Sequence, residues 1–154
     1  MTFASDQVLG GVANLWKMSK TVSQTLGASG SVTVVTFDRA DIDGGHSVID
    51  LANDRFVAPA NGLYIAYGAW LWEGTAPGAG TYAVALVAGT EAGTLGRGNG
   101  NVHTTNQAIH ASWPLSLTSG DFVTLGIDPQ NSGVTARGNA AIHLSTSFTL
   151  VRIT

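Results

Sequence analysis

Four histidines, His46, His103, His110 and His143, are the side chains in this sequence that most directly offer chemistry. Imidazole carries protons near neutral pH and is a common metal ligand. No two of them stand at H-x-H or H-x-x-x-H spacing, and the chain has no cysteine to complete a zinc site. A second candidate is the acidic run Asp38, Asp41, Asp43, Gly44. Counting back from Gly44 places Arg39 at the first ligand position of a D-x-[DN]-x-[DN]-G calcium loop, and no glutamate closes it. Those carboxylates read better as turn caps in a solvated loop over Asp38 to Gly45. The segment Gly96-Arg97-Gly98-Asn99-Gly100 lacks the spacing of a phosphate loop. Its glycines suit a hairpin turn, with Arg97 and Asn99 as candidate ligand contacts at an exposed tip. No G-x-S-x-G elbow occurs, and Glu73 and Glu91 form no obvious acid–base pair. The expectation is a non-enzymatic protein with no cofactor and no metal.

The elements that must hold these residues read as strands. Leu15 to Val22, Ser31 to Phe37, His46 to Leu51 and Arg55 to Val57 carry short strand signals between turn-rich stretches. Gly62 to Glu73 is the central strand. Leu63, Ile65, Tyr67 and Leu71 fall on one face of it, and Tyr64, Trp70 and Trp72 on the other. Apolar groups on both faces predict burial on both sides, one against a second sheet and one against a further partner. That partner is either a neighbouring subunit or the chain's own arm or loop. Ile109, Ala111, Trp113, Leu115 and Leu117 alternate on a later strand, and Ile142, Leu144, Phe148 and Leu150 share a face on the last. Most aromatic residues thus sit at core-like positions. Trp72, at a strand end beside Glu73 and the 74–80 loop, is the one singled out as a candidate ligand platform. About ten strands with turns every ~8–12 residues is the count an antiparallel sandwich requires.

Three motifs fall in order along this pattern: Phe56-Val-Ala-Pro59-Ala-Asn-Gly62-Leu-Tyr64, Leu117-Thr-Ser-Gly120-Asp121-Phe-Val-Thr-Leu125, and the terminal Ser147-Phe148. Together they resemble the F-x-x-P-x-x-G-x-Y, L-x-x-G-D-x-V-x-L and S-F signature of the superfamily of complement C-one-q globular heads and tumour necrosis factors. The resemblance covers residues 15–154. It implies an all-β antiparallel jelly-roll sandwich that forms homotrimers. Leu63, Ile65, Tyr67, His110 and His143 are then the candidates for the trimer interface. If His110 and His143 flank the trimer axis they form titratable rings of three; the alternative is that both are simply packed or half-exposed on their strands. Some members of the superfamily hold calcium through loop carboxylates near the trimer top. Its members also include hormones, recognition heads and virion proteins, so fold alone does not choose a function.

Bulk properties narrow the choice. A length of 154 residues is one domain with its own core. Charged residues are 11 % of the chain, against about a quarter in ordinary soluble domains, which predicts a surface largely hidden against neighbours. A net charge of −3 and scattered basic residues argue against nucleic acid. The run Leu63 to Trp72 is about half of what spans a bilayer, so no membrane partner is expected. Met1 to Asp6 has neither a basic start nor an apolar run, so secretion by a signal peptide is not expected. Residues 1–14 match no jelly-roll element yet carry Phe3, Val8, Leu9 and Val12, and read as a docking arm. The resulting expectation resembles the stand-alone bacteriophage members of the superfamily. It is a homotrimer on a virion surface, made in a host cytoplasm and attached through its arms to a major capsid or tail protein. The alternative is a trimeric recognition module whose exposed loops bind a glycan or a receptor.

Overall fold

A computed structural model describes residues 14–28, 30–78, 80–91, 108–141 and 145–154. Among them the strands run β1 Leu15–Ser19, β2 Gln24–Thr25, β3 Thr33–Val34, β4 Arg39–Ile42, β5 Ile49–Asp50, β6 Arg55–Val57 and β7 Gly62–Gly74. They continue as β8 Tyr82–Val87, β9 Thr90–Glu91, β10 Ala108–Leu117, β11 Phe122–Asp128, β12 Val134–Ala136 and β13 Ser147–Arg152. One short 3-10 turn, Leu51–Asn53, interrupts them. The strands form two antiparallel sheets. The larger has seven strands in the order β2-β12-β7-β13-β1-β4, with β10 also paired to β7. The smaller has six in the order β5-β6-β11-β8-β9, with β3 also on β11. This is the all-β jelly-roll sandwich expected from the sequence.

The core lies between the sheets, and strand register assembles it in rows. Met18 pairs with Phe148, Phe148 with Gly68, and Gly68 with Ala111. The next row runs Trp16, Leu150, Ala66 and Trp113. Trp16, Met18, Phe148, Leu150 and Trp113 are fully buried, each burial of this size contributing about 1.5–3 kcal/mol or more. The small residues on β7 make room for the large ones. A Cβ on Gly68 would stand 2.9 Å from Leu125 Cδ1 and 3.3 Å from the Trp113 ring. Trp70 and Trp72 follow on the same inner face with ring centroids 5.5 Å apart.

The three sequence motifs meet one another. Ala58 N–H donates to Asp121 O at 2.8 Å, and Gly120 N–H donates to Ala58 O at 2.9 Å. Ser119 N–H donates to Asn61 Oδ1 at 2.9 Å. Gly120 sits at φ +92°, where a side chain would be strained, and Asp121 closes the turn by accepting from Thr118 N–H at 2.7 Å. The Tyr64 hydroxyl donates back to Ala60 O at 2.7 Å, which fixes the turn leading into β7. The ring of Phe148 of the third motif packs tilted against that of Phe56 of the first, at 5.2 Å between centroids. The signature is therefore a structural clasp at one end of the sandwich.

Several local expectations differ from the structure. The loop expected over Asp38 to Gly45 contains an edge strand, β4, paired with Lys17, Met18 and Ser19 of β1. Its polar alternation conceals it: Asp41 accepts from Ser19 Oγ at 2.9 Å and from Arg39 Nε at 2.7 Å. Polar partners do there what apolar packing does elsewhere. Between Ser31 and Phe37 only Thr33–Val34 is paired, although Val35 and Phe37 still fill the core. The strand expected over His46 to Leu51 shrinks to Ile49–Asp50. His46 and Ser47 take positive φ before it, and Asp54 in αL ends the 3-10 turn after it. The last strand begins at Ser147; Ile142 and Leu144 lie outside the described residues.

Candidate functional site

The outward face of the larger sheet concentrates the molecule's exposed apolar side chains. β7 alternates there with Leu63 53 %, Ile65 39 % and Tyr67 38 % exposed, while Tyr64, Ala66 and Gly68 point inward. Register extends the face across four strands. Ser112, Tyr67, Thr149 and Lys17 form one row, and Pro114, Ile65, Val151 and Leu15 the next. Ile153, 55 % exposed, joins Leu63 through its N–H, which donates to Leu63 O at 2.8 Å. Leu63, Ile65, Pro114, Ser116 and Ile153 line a shallow groove of about 290 Å³ at this end. None of the described elements covers it. Of the two partners expected for the second face of β7, an intramolecular loop is therefore absent among the described residues.

The polar end of the same face is built by Tyr67 and His110. His110 points outward from β10 because Ile109 and Ala111 on either side point into the core. It lies diagonal to Tyr67, whose direct cross-strand partner is Ser112. The Tyr67 hydroxyl and His110 Nδ1 are 2.5 Å apart, and the two rings stack at 5.8 Å between centroids. Diagonal aromatic contacts of this kind are within ordinary reach in a twisted antiparallel pair. Ser112 is the hydroxyl that stands across from Tyr67, and the pair's own chemistry is hydrogen bonding.

A second polar cluster lies at the loops beyond β1. Lys20 is 2 % exposed and donates from Nζ to Thr36 O at 2.5 Å, Thr36 Oγ1 at 2.8 Å and Gln24 Oε1 at 3.4 Å. Burial pulls its ammonium below the usual range, against the attraction of Asp38 and Asp54. Partial burial works the other way on Asp38, but hydrogen bonds outweigh it. Thr21 N–H and hydroxyl and Val22 N–H donate to the carboxylate and, with Lys20 nearby, hold it below its ordinary value. These groups tie loops together, each cation and anion having protein partners. Among the described residues no three His, Asp or Glu side chains converge as a metal site would need.

The sequence-derived residues are distributed unevenly. Leu63, Ile65, Tyr67 and His110 come together on the outer face. Trp72 does not serve as a ligand platform: it is fully buried on the inner face of β7, paired across from Ala136 of β12. Its i, i+2 relation to Trp70 places it inside, and the turn at Gly74 begins only after it. His143, Arg97 and Asn99, and the arm residues Phe3, Val8, Leu9 and Val12, lie outside the described residues. Pro114, Ser116 and Ile153 line the groove without having been singled out. The signal for the first two was their position between inward-facing Trp113, Leu115 and Leu117.

Comparison with solved structures places this geometry in a known fold. Murine APRIL superposes with a TM-score of 0.62 at 13 % identity, over 91 % of this chain and 98 % of that one. The globular domain of zebrafish complement 1qA gives 0.61 at 12 %, over 92 % and 98 %. Rabbit GITRL gives 0.53 at 16 %, over 92 % and 94 %. The fold is thus a jelly roll of the C-one-q and tumour-necrosis-factor type. No protein-family model and no curated protein sequence matches the chain.

Proposed function

We propose that this protein is a non-enzymatic interaction module that assembles as a homotrimer through the outer face of its larger sheet. The carrying observation is the exposed apolar strip of Leu63, Ile65, Tyr67 and Ile153 on a sheet whose other face is a complete core. A monomer in water would leave that strip wetted, whereas a second and third copy would remove it. A stable interface buries about 800 Å² per partner. The similarity to APRIL and to the complement 1qA globular domain supports the same fold-level reading.

Within that reading we assign the trimer to a bacteriophage virion surface, docked on a capsid or tail protein through residues 1–14. The support is the 11 % charge content, the apolar residues Phe3, Val8, Leu9 and Val12 in the arm, and the resemblance of the motifs. Three tethered arms raise affinity by roughly 10²–10⁴ over one when geometry permits simultaneous contact. Light scattering tests the first step: the purified chain should give three times 15.8 kDa, and a monomer at micromolar concentration overturns it. Deletion of residues 1–14 tests the second, since the trimer should persist but no longer join particles. Normal incorporation of the truncated protein would defeat the docking role.

A further inference from the structure

We propose that the Tyr67–His110 pair makes assembly through this face pH-dependent, with copies associating when His110 is neutral and separating when it is protonated. The inference rests on the reading that the outer face is where copies meet. Its basis is the geometry of the pair. His110 Nδ1 stands 2.5 Å from the Tyr67 hydroxyl, close enough for a hydrogen bond. In the neutral ring Nδ1 can accept the Tyr67 proton while Nε2 carries the other hydrogen; the imidazolium donates from both nitrogens and accepts from neither. Protonation therefore reverses the bond, Nδ1–H now donating to the Tyr67 oxygen, and adds a charge on a face that association would dry.

Among the described residues, the carboxylates on the neighbouring strands already face arginines. Across β7, Ala69 stands opposite His110, with Tyr67 and Leu71 to either side. Glu73 lies farther along β7, 4.0 Å from Arg137. Beyond them in the same row come Ser147 of β13 and Ser19 and Arg39 of β1 and β4, and Arg39 is held by Asp41 at 2.7 Å. The nearest charge in the Tyr67 row is the cation Lys17. β8, which also packs against β10, brings Ala83, Val84, Ala85 and Leu86, none of them charged. A desolvated imidazolium whose nearest carboxylates already face arginines is disfavoured.

The sign follows from linkage. The associated state binds fewer protons than the separated one, so association is at full strength above the imidazole range and falls as pH drops through it. Each copy brings its own His110, so the weakening on acidification compounds over three copies.

The test is sedimentation velocity on the full chain at pH 7.5 and 5.5 over a concentration series, with circular dichroism at both values to separate dissociation from unfolding. The wild type should be a trimer at pH 7.5 and shift towards monomer at pH 5.5 with its strand signal intact. His110→Gln should lose this pH shift. A trimer of equal strength at both values overturns the proposal, as does a His110→Gln variant that keeps the shift. A monomer at pH 7.5 would instead defeat the trimer reading, and this proposal with it. Should His110→Gln not fold, proton NMR of the wild-type imidazoles decides. The His110 ring should titrate at lower pH in the concentrated, assembled sample than in the dilute one, and equal midpoints overturn the idea.

Discussion

The ring of Phe148 sits 5.2 Å from that of Phe56, joining the last strand of the larger sheet to the smaller sheet. Phe37 stacks on Phe148 as well, at 6.3 Å. Both Phe148 and Phe56 are fully buried. Phe148→Ala should therefore lower the unfolding free energy by about 3–5 kcal/mol, through lost transfer energy and the cavity left behind. Urea denaturation at constant m-value checks it; a loss under about 1 kcal/mol would mean that the contact is not central to the core.

Gly68 is predicted to tolerate no side chain of any size. Its Cβ position is hemmed by Leu125 and Trp113 from the core side. Gly68→Val should destabilise by ~1–3 kcal/mol or more through overpacking, despite the better strand propensity of valine. Thermal unfolding followed by near-UV dichroism of the tryptophans reads it directly.

Ile65→Asp separates folding from assembly. The side chain is 39 % exposed in the single chain, so the carboxylate stays solvated and the melting temperature of the monomer should fall by little. In an associated face the same carboxylate would be buried beside Pro114 and Val151 without a partner, and trimerisation should be lost. Unchanged trimer mass by light scattering would move the interface elsewhere.

Acid stability should depend on Asp38. Its carboxylate is held below the ordinary 3.8 by three donors from Thr21 and Val22. A depressed folded value contributes stability that is full above the unfolded value and is lost as pH falls through the folded one. Asp38→Asn should accordingly be less stable than wild type at pH 6, with the gap narrowing below pH 3.8. Chemical denaturation at several pH values tests this, and a gap independent of pH would show that the hydrogen bonds serve the amide equally well.

The architecture was legible because its determinants are local in sequence. The Phe56-to-Tyr64 motif encodes a turn, a proline and a hydroxyl that closes on Ala60, and alternation along β7 separated Leu63, Ile65 and Tyr67 from Tyr64, Trp70 and Trp72. Strand β4 was hidden because Arg39 and Asp41 find their partners in Ser19, twenty residues or more away. Trp72 lies inside because it alternates with Trp70, although it stands near the end of β7. The Tyr67–His110 contact depends on the register of β7 against β10, which a single sequence does not print. Only the pairing of Tyr67 with Ser112 brings the histidine to the tyrosine's hydroxyl.

Pro114 stands in the middle of β10, opposite Ile65. Among the described residues β10 is hydrogen-bonded to β7 alone, so its other side is a sheet margin. Proline is tolerated within a strand where its nitrogen faces away from the partner. The open ladder along β10 is thus missing its central donor, and a further strand cannot zip along it without a break. Growth by strand addition, which would lead to open-ended fibres, is discouraged at this margin.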